Sequence, residues 1–304
     1  MADLAVQIGG LRLKNPVLVA SGTFGYGKES ADLVNLNALG GIVTKSVTLK
    51  PRDGNPPQRI VELPAGMLNS IGLANVGVEN FIKEKLPFLN GLDTAIIVNV
   101  AGGTADEFLA VVERLEKEEG IDAYELNFSC PNVQEGGMEF SQDPRVTASV
   151  TGMVRKVTQR PLIIKLTPNV TRISDIARAA KESGADAVAL INTLVGMAVD
   201  IHLRRAIINT VTGGYSGPAV KPVALAKVYE VARHVDIPVI GIGGIMNGND
   251  ALEFIITGAM AIEVGTANFI DPRTGEKIVS ELQDYCQRCG VQSIRELVGT
   301  LRTS

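Results

Sequence analysis

Eight short apolar runs recur along the chain, separated by longer stretches, and this rhythm restricts the folds open to it. The runs are PVLVA (16–20), GIVT (41–44), TAIIVNV (94–100), AYELNF (123–128), PLIIKL (161–166), ADAVALI (185–191), IPVIGI (237–242) and AIEVG (261–265). Amphipathic helical patterns fall between them, clearest at 106–119, 173–183, 222–235 and 249–258. Strands alternating with helices give a parallel sheet covered by helices, and eight such units are the count of a TIM barrel, (β/α)8. The runs are continuously apolar, as strands buried on both faces must be. An open doubly wound sheet would satisfy that too, but SGTFGYG (21–27) has glycines without the GxGxxG spacing such a sheet uses for dinucleotides. Ahead of the first run, residues 4–16 read as a β-hairpin turning at Gly9 and Gly10, placed to plug the closed end of the barrel. No linker interrupts residues 1–304, so a single domain is expected, with inserted loops at the C-terminal face.

Bulk properties exclude several functions. The charge is −4 and the basic residues are scattered, which argues against nucleic acid as a partner. No apolar run approaches the ~20 residues needed to span a bilayer, and the N-terminus lacks a signal-peptide core, so the expectation is a cytoplasmic protein without a membrane partner. Three cysteines make no disulfide framework. Cys286 and Cys289 form a lone CxxC in a helical surround, and it is assigned neither a metal nor a redox role.

In a barrel of this kind chemistry belongs at the C-terminal strand ends. The residues there are Ser21, Lys45 with Ser46, Asn99, Asn127, Lys165, Asn192 with Thr193, Gly243 with Gly244, and Gly265 with Thr266. A buried lysine is costly unless a charge answers it. A carboxylate within the protein would suffice for either lysine alone, but two lysines beside three asparagines point to a charged ligand. GIGG (241–244) and VGTAN (264–268) close the last two runs and each precedes a helical stretch, which suggests a phosphate seat of glycine amides and helix N-termini. The run ELNFSCPN (125–132) places a thiol just past a strand exit. Most free cysteines are small buried hydrophobes, yet Cys130 stands between Asn127 and Asn132, where a base or nucleophile would be useful. His202 and His234 are the only histidines and neither sits at a strand end, which disfavours a histidine base.

Taken in order, ASGTFG (20–25), TKSVT (44–48), NSIGLAN (69–75), NFSCPN (127–132), KLTPN (165–169), NTLVG (192–196), GGYSGP (213–218), GIGGI (241–245) and VGTA (264–267) resemble the motifs of the dihydroorotate dehydrogenases, flavoenzymes of pyrimidine synthesis, over essentially the full length. The resemblance implies FMN across the barrel mouth. Its phosphate would lie at Gly243, Gly244, Gly265 and Thr266, with Gly217 close by, and its isoalloxazine would meet Ser21, Lys45, Ser46, Asn99, Asn127, Lys165 and Ile191. Dihydroorotate would be held by Lys45, the loop Asn69, Ser70, Ile71, Gly72 and Leu73, and by Asn127, Asn192 and Thr193. Cys130 would be the general base for the C5 proton while the C6 hydride passes to the flavin, and Lys165 would oppose the negative charge that reduced flavin gathers. Gly136 and Gly137 suggest a lid carrying Cys130 over the substrate.

Within the family, the membrane-bound class has a serine base and an N-terminal extension, unlike this chain. Of the two soluble classes with a cysteine, NFSCPNVQEGG, KLTPNVT and GGYSGPAVKPVAL are similar to the NAD-linked class; the fumarate-linked class is the alternative, and Tyr215 stands where an aliphatic residue is expected. The NAD-linked class implies a homodimer core within a heterotetramer, whose partner subunit carries FAD and a [2Fe-2S] cluster. This chain, with three cysteines, lacks the four thiolates of such a cluster. Two rival readings are a pyrimidine base reductase and a lyase or aldolase barrel in which Lys165 forms a Schiff base.

Overall fold

The computed structural model describes residues 2–128 and 142–303. Its strands are β1 (Val6–Ile8), β2 (Leu11–Leu13), β3 (Val17–Val19), β4 (Gly41–Val43), β5 (Ile60–Leu63), β6 (Gly66–Asn69), β7 (Ala95–Val100), β8 (Ala123–Asn127), β9 (Leu162–Lys165), β10 (Ala187–Leu190), β11 (Leu194–Met197), β12 (Val199–Asp200), β13 (Arg205–Ala206), β14 (Thr212–Ser216), β15 (Val239–Ile242) and β16 (Ala261–Val264). Eight of them close into one parallel barrel, in the order β3, β4, β7, β8, β9, β10, β15, β16. These are the eight apolar runs of the sequence, each trimmed by a residue or two at its ends.

The helices outside the barrel are α1 (Gly77–Asn80) and α2 (Leu86–Leu89), joined through a π-helical stretch Phe81–Lys85, then α3 (Ala105–Leu115), α4 (Pro144–Arg155), α5 (Ile173–Glu182), α6 (Lys221–Ala232), α7 (Gly248–Thr257) and α8 (Thr274–Cys289). Spacing explains their seats. In α3 the buried residues Phe108, Val111, Val112 and Leu115 fall at i, i+3, i+4 and i+7, one stripe facing the sheet. Thr104 starts this helix by accepting a hydrogen bond from the Glu107 amide at 3.2 Å. No described helix is long and apolar enough to cross a membrane.

The strict strand–helix alternation fails once. Between β3 and β4 the described chain makes only two 3-10 turns, Lys28–Ser30 and Leu36–Ala38, because 21–40 is too rich in glycine and polar residues to present a helical apolar stripe.

The inserted loops at the C-terminal face carry short strands of their own. β5 and β6 form a hairpin, β14 pairs antiparallel with β6, and β11 pairs antiparallel with β14, giving a four-stranded sheet over the barrel mouth. Its own small core is Leu68, Ala198 and Ile208. Glycine makes the pairing possible, since a Cβ on Gly66 would lie 2.3 Å from the Ser216 carbonyl oxygen and one on Gly213 2.5 Å from that of Asn69.

At the other end, β1 and β2 form the expected hairpin. Its turn packs beside Asp186 and Pro161, which directly precede β10 and β9, so it closes the N-terminal end of the barrel. Gly9 has φ +54°, and a Cβ there would stand 2.6 Å from Cβ of Asp186. Gly9→Ala is therefore expected to destabilise the fold by about 1–3 kcal/mol, read from a urea or thermal unfolding midpoint, while Gly10→Ala, with its nearest neighbour 3.7 Å away, has a much smaller effect.

Candidate active site

Along β8 the side chains alternate. Tyr124 reaches outward, where its hydroxyl donates to Glu116 at 2.8 Å, while Glu125 and Asn127 turn into the barrel. Register then sets the neighbours: Asn99 of β7 lies beside Glu125, and Asn127 lies beside Lys165 of β9. Asn99 Nδ2 donates to Glu125 Oε1 at 2.5 Å, Ser46 Oγ donates to Asn99 Oδ1 at 2.5 Å, and Asn127 Nδ2 donates to Ser46 Oγ at 3.5 Å. Lys165 Nζ donates to Glu263 Oε2 of β16 at 3.0 Å and to Ser21 Oγ at 3.3 Å, and stands 3.5 Å from Glu125 Oε1.

These contacts separate the two lysines that the sequence presents alike. Desolvation pulls the Lys165 ammonium down, but Glu125 and Glu263 outweigh it and hold the pKa above the ordinary lysine value. Lys165 is therefore answered by carboxylates inside the protein, contrary to the expectation that both lysines await a ligand. Among the described residues no carboxylate pairs with Lys45. Burial, and then the Arg59 guanidinium, push its pKa below the usual lysine value, with Glu29 opposing.

One cavity of about 530 Å³ opens at the C-terminal face under the added sheet. It gathers Ser21, Lys45, Ser46, Asn127, Lys165, Ile191, Asn192 and Thr193, the loop Asn69 to Leu73, and the glycines 217, 243, 244 and 265 with Thr266. Asn99 is the exception among the described candidates: fully buried, it lies beneath the wall and supports Ser46 and Glu125 instead of facing the cavity. Cys130, like Gly136 and Gly137, lies outside the described residues.

The glycine turns form a cradle. Gly217, Gly243 and Gly244 have φ +111°, +123° and +74°, and a Cβ on Gly244 would come within 2.8 Å of Cβ of Lys221. Among the described residues the amides of Gly243, Gly244, Gly265 and Thr266 meet no acceptor from the protein. A Cβ on Gly265 would meet nothing nearer than 3.7 Å, so its missing side chain leaves room beside them. The helix N-termini expected to help do not: α7 begins four residues beyond Gly244, and its first amides are taken by Asn247 and Glu281. After β16 comes a 3-10 turn, Thr266–Phe269, with α8 starting only at Thr274. Among the described residues the cradle presents loop amides and no helix N-terminus of α7 or α8.

Sequence reasoning missed four participants. Glu125 and Glu263 are carboxylates inside otherwise apolar runs, a signal present in AYELNF and AIEVG but passed over in favour of the lysines. Arg59 reaches the cavity from immediately ahead of β5 in the added sheet, not from the C-terminal end of a barrel strand. Asn169, in the KLTPN turn, donates to the Thr193 carbonyl at 3.1 Å and accepts from the Val195 amide at 3.0 Å, fixing the segment that carries Asn192 and Thr193.

The family model described as dihydroorotate dehydrogenase matches residues 3–286. The chain belongs to the dihydroorotate dehydrogenase family. It is 52% identical over 300 residues to the dihydroorotate dehydrogenase B (NAD(+)), catalytic subunit, of Geotalea daltonii, covering 99% of this chain and 98% of the relative. It is 50% identical over 301 residues to the protein of that name from Bacteroides thetaiotaomicron, covering 99% of each. In fold it is similar to the crystal structure of DHODH from Eimeria tenella in complex with ferulenol, with a TM-score of 0.80 at 23% identity, over 98% of this chain and 88% of that one. Tyr215, the departure from the family pattern noted in the sequence, has a structural post: its hydroxyl donates to the Pro64 carbonyl at 2.9 Å, tying β14 to the β5–β6 hairpin.

Asn99→Ala would leave Glu125 without its donor and Ser46 without its acceptor inside the barrel. A loss of about 3 kcal/mol is expected, measured by equilibrium unfolding, with Asn99→Asp at least as damaging because it sets a second carboxylate against Glu125.

Proposed function

We propose that this chain oxidises dihydroorotate to orotate with bound FMN, as the catalytic subunit of an NAD-linked complex serving pyrimidine synthesis. One observation carries the reading: a single cavity brings together two separate sets of anion-binding groups, the amides of the glycine cradle at strands β15 and β16, which meet no acceptor among the described residues, and the cations Lys45 and Arg59, neither paired with a carboxylate among the described residues. A phosphate-bearing cofactor and a carboxylate-bearing substrate need one seat each. The names of the relatives from Geotalea and Bacteroides support both the reaction and the class.

The residues present fit FMN. The cradle amides supply donors for phosphate oxygens, Lys165 and Asn127 bring a cation and an amide to the cavity floor, and Ile191 offers an apolar wall. When bound, FMN supplies a hydride acceptor. The protein's own part is to hold and to deprotonate. Lys45 and Arg59 would take the substrate carboxylate, and Asn69, Asn127 and Asn192 offer a donor and an acceptor each to a ring that bears both. Ser70 has a buried hydroxyl with no partner among the described residues, available to a ligand. Cys130 is proposed as the base for the C5 proton, three residues beyond Asn127.

A Schiff-base role for Lys165 fits poorly, because nucleophilic attack needs a neutral amine and the buried Glu125 and Glu263 side chains beside this one favour the ammonium. Electrons would leave through a partner subunit carrying FAD and [2Fe-2S], a proposal supported by the words "catalytic subunit" in the relatives' names and by the three cysteines of this chain.

Purified alone, the chain is expected to be yellow with a flavin spectrum, and to be reduced by dihydroorotate. Steady NAD reduction would require the partner subunit, measured as NADH absorbance with and without it. A colourless protein, or robust turnover by the lone chain with fumarate, would overturn the assignment. Cys130→Ser should retain FMN while flavin reduction in stopped flow slows by about 10²–10⁴-fold and its pH profile moves upward. Gly244→Ala should lose FMN, read as flavin released per chain. Because Lys45 titrates below the ordinary lysine value, its charge disappears as pH climbs through that lowered pKa. The KM for dihydroorotate should therefore rise at alkaline pH, and Lys45→Gln should show a high KM without that dependence.

A further inference from the structure

Three ionisable side chains are shut inside the barrel at the cavity floor: Glu125 and Glu263 are wholly buried and Lys165 is 4% exposed. Lys165 Nζ binds Glu263 Oε2 at 3.0 Å and stands 3.5 Å from Glu125 Oε1, which also accepts from Asn99. That leaves two oxygens, Glu125 Oε2 and Glu263 Oε1, buried and without a donor among the described residues. Both carboxyl groups reach the same ammonium, Lys165 Nζ, one from β8 and one from β16. An ionised carboxylate oxygen only accepts, so these orphaned oxygens lack a donor unless one of the carboxyl groups carries a proton itself.

Charge balance leads to the same result. Two carboxylates against one ammonium would leave an uncompensated negative charge in the barrel core, where desolvation is most severe. The other groups lining the cluster, Ser21, Ser46 and Asn99, are uncharged, and the charges bearing on Lys165 and Glu263 come from within the cluster itself.

We propose that Glu125 and Glu263 share one proton, which makes the triad with Lys165 electrically neutral. Resting on the flavin reading above, the two glutamates are then positioning residues: through Lys165 they set the electrostatic potential under the isoalloxazine, and with it the flavin's reduction potential. Burial first, and then the Glu125 charge, raise the Glu263 pKa well above the ordinary glutamate value, in keeping with a retained proton. A fully ionised triad would place a net negative charge under the flavin and oppose its reduction. A neutral triad leaves the ammonium's field balanced by a single carboxylate.

Infrared spectroscopy of the purified full chain tests the proton directly. At neutral pH a carboxylic acid C=O band that shifts in D2O is expected, and it should vanish in both Glu125→Gln and Glu263→Gln, since each leaves one ionised glutamate beside the lysine. Identical bands in the wild type and both variants, or no such band in the wild type, would overturn the proposal. Spectroelectrochemistry gives a second readout. Each single amide variant keeps the triad neutral and should leave the flavin potential near that of the wild type, whereas E125Q/E263Q leaves a bare ammonium and should raise it. A clear rise in either single variant would mean that both glutamates were ionised, which refutes the shared proton. Should the double variant fail to fold, the single variants decide the matter. A chain that binds no flavin would count against the functional reading, and the infrared result would still decide the proton.

Discussion

Closure of eight parallel strands into a barrel seals the interior from water on every side but one. A polar group pointing inward must then be answered by another strand or by whatever enters at the mouth. The network around Lys165 is the consequence. Through Ser21, Ser46, Asn99, Glu125, Asn127, Lys165 and Glu263 it ties together groups from six of the eight strands or their exits. A buried cluster of this kind adds little net stability over an apolar core of equal volume, although removing one partner costs about 3–5 kcal/mol. Its presence is better explained by the charge it holds at the cavity floor.

The same closure divides labour between the two lysines. Lys165 projects into the sealed interior, where only carboxylates on neighbouring strands can make burial tolerable. Lys45 follows its strand into the open cavity, beside another cation and with no described carboxylate paired to it. One is a fixed element of the floor, and the other keeps its charge available to an incoming anion. Their sequence contexts, KSVT and KLTP, offer no hint of the difference.

The added sheet over the mouth turns an open barrel end into a cavity. Three segments remote in sequence, 60–69, 194–197 and 212–216, meet in it, glycines at 66 and 213 let the backbones approach, and Gly214 leaves room for the Thr193 side chain. Asn69 donates to the Gly214 carbonyl at 3.2 Å, so a candidate substrate contact is positioned by a strand about 145 residues away. The cavity's chemistry is thus set by barrel strand ends below and by an antiparallel sheet above.

Much of this was legible in the chain itself. Apolar runs that must be buried on both faces give a parallel sheet, their number gives the barrel, and the exits of the runs mark where polar groups can survive, which is why nearly every residue read at a strand exit lines one cavity. Local signals also placed the hairpin plug, since Gly9 and Gly10 can hardly do anything but turn. What the sequence left open depends on distance in the chain. Whether Lys165 is answered by Glu263 is decided by barrel closure, which brings β16 within reach of β9 across 98 residues. Asn99 lies beneath the wall instead of on it because Glu125 and Ser46 hold it there, and helix α7 adds no free amide to the glycine cradle at its first residue because Glu281 already caps it. Periodicity reports which face of a strand is buried; it does not report which polar groups meet inside, because that is settled by strand stagger and closure acting on the whole barrel at once.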